Sequence, residues 1–67
     1  MVILSKFAEN LLALMEEHNL KAPALGDILG THRTNITRYL QGKRLPSYDL
    51  FVKIIEYFNV SADVLLG

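Results

Sequence analysis

The chain has no cysteine and no tryptophan, so neither a disulfide nor a thiolate metal site can staple it. Two prolines and four glycines among 67 residues leave no linker, low-complexity stretch or repeat. Long hydrophobic runs are missing as well. The longest, Leu11 to Met15, falls far below the ~20 residues that span a bilayer. The start Val2 to Leu4 is too short for a signal peptide, and no membrane partner is expected. Net charge is also absent, because seven Lys and Arg balance seven Asp and Glu.

Catalytic patterns are equally scarce. Ser5, Ser47 and Ser61 stand at expected helix starts, where a hydroxyl reads as a cap before it reads as a nucleophile. His18 and His32 lie on different segments, and neither a Gly-rich phosphate loop nor an HExxH motif occurs. The expectation is no enzyme, no cofactor, no metal and no small-molecule ligand. Lack of cysteine agrees with a reducing cytoplasm.

What is present is apolar content, 51% of the residues, cut into helix-length pieces. The breaks fall at Asn19, Gly30, Gly42 and Asn59, residue types that tolerate the left-handed conformation in which helices stop. Five helical segments result, with no room for strands: an all-α fold in one domain, residues 1–67. The first helix is expected from Ser5 as cap to His18, burying Phe7, Leu11, Leu14 and Met15. The second spans about 22–29 with Pro23 in its first turn and Leu25, Ile28 and Leu29 on its apolar side. A third runs over 32–41, a fourth from Ser47 to Phe58, and Ser61 caps a last turn. No ligand-sensing domain is expected beyond it.

Charge is distributed unevenly. Thr31 to Pro46 holds four of the seven basic residues, Arg33, Arg38, Lys43 and Arg44, and no acid. That +4 segment against a −4 remainder calls for a polyanionic partner. Within the third helix, Arg33, Thr34, Thr37, Arg38 and Gln41 share one side, and Ile36, Tyr39 and Leu40 the other. The polar set suits the major groove: Arg pairs with guanine O6 and N7, Gln with adenine, and Thr offers a hydroxyl and a methyl. Lys43 and Arg44 follow Gly42 within reach of flanking phosphates. A solvated helix face with two arginines is the plain alternative. The shared context weighs against it: two short helices joined by a turn containing Gly30 form a helix-turn-helix.

At these residues the chain resembles the Xre, or lambda-repressor-like (Cro/C1-type), class of helix-turn-helix DNA-binding domains. The match runs through Leu20, Leu25, Leu29 and Gly30, then Ile36, Thr37 and Arg38, then Gly42, Pro46 and Ser47. It ends with Phe58, Asn59, Val60, Ser61, Asp63, Leu65 and Leu66. The resemblance implies a five-helix domain that binds double-stranded DNA as a repressor-like transcription regulator, with its motif at about 22–41. Base contacts are expected from Arg33, Thr34, Thr37, Arg38 and Gln41, and phosphate contacts from His32, Asn35, Lys43, Arg44 and Lys21.

Four departures from the class stand out, the last of them paired. Gly26 replaces an Ala at the contact between the motif helices, Ala22 replaces a phosphate-binding Gln behind Lys21, and His32 replaces a capping Ser or Thr. Thr31 is therefore expected to cap the third helix one residue early. Met15 and Leu40 jointly replace an Arg and Glu pair, an exchange of ions for apolar contact that is often neutral or stabilising.

The fourth helix has only Asp49, Lys53 and Glu56 as a polar stripe. Phe51, Ile55, Tyr57, Leu65 and Leu66 are expected as surplus apolar surface for a homodimer, with burial in the core as the alternative. A rival reading follows: a protein-interaction module, such as an antitoxin-like partner, that keeps the scaffold and docks through the fourth helix.

Overall fold

A computed structural model describes residues 2–67, with side chains from Leu4 onward. Among them are five helices and no strand: α1 Val2–Glu17, α2 Ala22–Leu29, α3 Arg33–Leu40, α4 Tyr48–Phe58 and α5 Ala62–Leu66. Helix α2 packs on α3 and α4, while α1 packs on α3 and α5.

All four expected stops hold the left-handed conformation, with φ of 55° at Asn19, 73° at Gly30, 71° at Gly42 and 56° at Asn59. Each closes its helix the same way. The residue after the stop donates its N–H five residues back: Leu20 to Met15, Thr31 to Gly26, Lys43 to Arg38 and Val60 to Ile55, at 2.8 to 3.1 Å. This Schellman geometry satisfies carbonyls that a helix end otherwise orphans.

The starts differ more from expectation. Ser47 Oγ accepts from the Leu50 N–H and Ser61 Oγ from the Val64 N–H, both at 3.3 Å, as side-chain caps. Ser5 caps nothing, because α1 already runs from Val2 and Ser5 sits exposed inside it. Nothing before Ser5 breaks a helix, so the register simply continues. Lys21 precedes α2 without a side-chain cap, and Pro23 in the first turn supplies the pre-set φ instead.

The core is one cluster in which Phe7, Leu11, Leu25, Ile36, Ile54 and Leu65 are fully buried. Phe7 joins three helices: its ring stands edge-on to Tyr39 at 6.2 Å and tilted against Phe51 at 6.1 Å. Met15 is buried as well, and Leu40 packs against the cluster from α3. Both positions that stand for an ion pair in relatives are thus apolar and face the core. Asn10 ties α1 to α5 by donating to the Leu65 carbonyl at 2.9 Å. Ile28, expected on the inner side of α2, remains 44% exposed.

Candidate nucleic-acid interface

Helix α3 is held from below by Ile36 and Tyr39, which are buried, while Arg33, Thr34, Thr37, Arg38 and Gln41 are all exposed. The 3.6-residue period puts those five along one outward ridge. No acid interrupts the ridge or the segment that follows it. Lys43 and Arg44 are exposed just past Gly42, and Lys21 is exposed ahead of α2.

The first turn of α3 is tied by side chains. His32 takes extended backbone angles and its Nδ1 accepts from the Thr34 N–H at 3.0 Å. His32 is therefore the cap, and Thr31, expected in that role, instead accepts at Oγ1 from the Asn35 amide at 2.9 Å. Asn35 is half-buried by that bond, leaving its amide oxygen and second N–H for any outside partner. The Thr37 hydroxyl donates to the Arg33 carbonyl at 3.1 Å. What Thr37 offers outward is thus an acceptor oxygen and a methyl group.

Close approach of α2 and α3 depends on Gly26. A Cβ there would stand 2.7 Å from the Thr31 carbonyl oxygen and 3.3 Å from the Arg33 backbone nitrogen. The Ala usual in the class therefore does not fit this turn as it is built. Beside it, Pro23, Asp27, Thr31, His32 and Arg33 line a concavity at the entrance of α3.

The apolar surface is arranged differently from expectation. Leu65 is fully buried at the centre of the core, so it cannot serve as surface. Phe51 and Ile55 are half-buried against that core. Tyr57 remains 43% exposed, packed edge-on to Phe58 with ring centroids 5.1 Å apart. Leu66 lines an open apolar groove of about 210 Å³ with Leu45, Pro46, Tyr48 and Phe51. Tyr48 and Leu45 escaped the sequence reading. Tyr48 is 80% exposed, and its place in the first turn of α4, straight after Pro46, was the available signal.

A helix-turn-helix family model matches residues 11–65, most of the chain and all of the ridge. The chain belongs to the Cro/C1-type, lambda-repressor-like helix-turn-helix family. No curated protein matches it. The family is one of DNA-binding regulators, and its five-helix, strand-free architecture is the one described above. DNA is accordingly the partner class of this helix-turn-helix protein. Among the described residues, no helix is long and apolar enough to cross a membrane.

Proposed function

We propose that residues 1–67 form one domain that binds double-stranded DNA at specific sequences and acts as a repressor-like transcription regulator in the cytoplasm. Helix α3 enters the major groove. Arg33, Thr34, Thr37, Arg38 and Gln41 face base edges, while Lys21, His32, Asn35, Lys43 and Arg44 address phosphates.

The observation that carries this reading is the exposed, acid-free ridge on α3, extended by two further cations and pinned to the core by Ile36 and Tyr39. Fixing a helix by its underside keeps its outer side chains in register with base pairs, which a mobile basic tail cannot do. Selecting bound oligonucleotides from a random pool tests specificity directly. With four phosphates neutralised per subunit, log K against log salt should fall with a slope of about −3.6 per subunit. A slope near zero, or a pool that returns no preferred sequence, rejects the proposal.

The groove beside Tyr48 favours a second feature, a homodimer that sets two ridges about one DNA turn (~34 Å) apart. The same groove is what a protein-interaction module or antitoxin-like partner would use. Failure to shift DNA at low salt would favour that reading.

A further inference from the structure

His32 performs a task that relatives give to a hydroxyl, and the substitution has a consequence beyond capping. A hydroxyl can accept from a backbone N–H and still rotate its own proton freely. An imidazole cannot. Its Nδ1 accepts from the Thr34 N–H at 3.0 Å only through a lone pair, so in the capping form that nitrogen carries no proton. The remaining proton of the neutral ring is then on Nε2, at the far end of an exposed side chain.

We propose that capping fixes His32 as a directed Nε2–H donor, and that this donor bonds an acceptor atom on DNA beside the recognition ridge. The inference rests on α3 being the recognition helix. Nδ1 is engaged with Thr34, and the His32 carbonyl accepts from the Asn35 N–H at 3.0 Å, which anchors the ring's own backbone. His32 lines the concavity at the entrance of α3 together with Pro23 and Asp27 of α2, Thr31 and Arg33. Being a donor alone at its free end, it suits a phosphate oxygen, guanine O6 or N7, or thymine O4, and it cannot serve an amino group of cytosine or adenine. His32 is therefore both a positioning residue for α3 and a contact in its own right.

Three variants separate the two tasks. His32→Ser keeps a cap and removes the distal donor; His32→Gln keeps a distal N–H and removes the ring cap; His32→Ala removes both. Each is compared with the wild type by urea unfolding and by fluorescence anisotropy on a selected duplex and its single-base variants. The proposal expects His32→Ser to unfold like the wild type but bind roughly 2- to 10-fold more weakly, the range for one hydrogen bond. Equal loss on every duplex identifies a phosphate acceptor, and loss confined to one base pair identifies a base. His32→Ser binding as tightly as the wild type overturns the contact and leaves only a cap.

Imidazole nitrogen NMR of the intact protein gives an independent reading. A bare Nδ1 with a protonated Nε2, and an Nε2–H protected from exchange once duplex is added, is expected. A proton on Nδ1 overturns the proposal without any mutation. Wild-type protein that binds no duplex overturns the recognition-helix reading, and this inference with it.

Discussion

The Thr31 carbonyl oxygen stands 2.7 Å from where a Cβ on Gly26 would be, and the Thr31 N–H donates to the Gly26 carbonyl at 2.9 Å. The two residues hold each other from both sides, and the entrance of α3 cannot retreat without breaking that bond. Gly26→Ala raises helix propensity by ~1 kcal/mol but drives a methyl into backbone, and such overpacking costs ~1 to 3 kcal/mol. With a hydrogen bond also at stake, the net expected from urea titration is a destabilisation of about 1 to 2 kcal/mol. A neutral or more stable variant would mean that the turn opens freely.

Met15 on α1 is buried at 2% exposure. Arginine there would place an unpaired guanidinium in an apolar core, because Leu40, the position that supplies the acid in relatives, is also apolar. Met15→Arg is expected to cost about 3 to 5 kcal/mol, the range for an uncompensated buried charge. Adding Leu40→Glu should recover part of that loss. Denaturant curves showing less than ~1 kcal/mol for the single change would place this side chain outside the core.

The helix ends are largely legible in the sequence. Asn and Gly at 19, 30, 42 and 59 each tolerate positive φ at low cost, and Ser47 and Ser61 supply the oxygen that a first turn needs. The ridge was legible too, since Ile36 and Tyr39 recur at the spacing that buries one side of α3. Histidine ranks low as a cap, so residue type alone favours Thr31 over His32; which atom reaches the Thr34 N–H depends on backbone angles that no residue type states. In α5, Val64, Leu65 and Leu66 are three apolar residues in a row, and periodicity alone cannot tell which points inward. Packing chose Leu65, as the Asn10 bond to its carbonyl holds α5 against α1. The need for Gly26 is not legible from residue type, because it lies in a backbone contact across the turn.

Arg33 and Arg38 are exposed, so replacing either with Ala should change stability by no more than about 0.5 kcal/mol, the scale of a surface substitution. Affinity for a selected site should fall by ~1 to 3 kcal/mol, with preference relaxed at one base pair. Lys43→Ala should weaken all sequences alike and reduce the salt slope by about 0.9. Binding profiles over single-base variants of the site separate the two outcomes. A uniform loss for both arginines would assign them to phosphates and move base reading to the threonines and Gln41.

Tyr48, 80% exposed beside Leu45, Pro46 and Leu66, gives the most exposed aromatic ring a position next to the cationic segment. If a second copy covers it, light scattering at micromolar concentration should report twice the 7.6 kDa chain mass. Tyr48→Lys should then return the monomer, because two lysines brought together at a symmetric contact repel each other and each must also shed water. The chain's own stability should hardly move, since so exposed a ring contributes little to the core. DNA affinity should drop with the dimer while the salt slope falls by about half, from roughly −7 to −3.6 per bound complex. Wild-type protein with the single-chain mass at every concentration withdraws the homodimer, and the groove then answers to a different protein or to none.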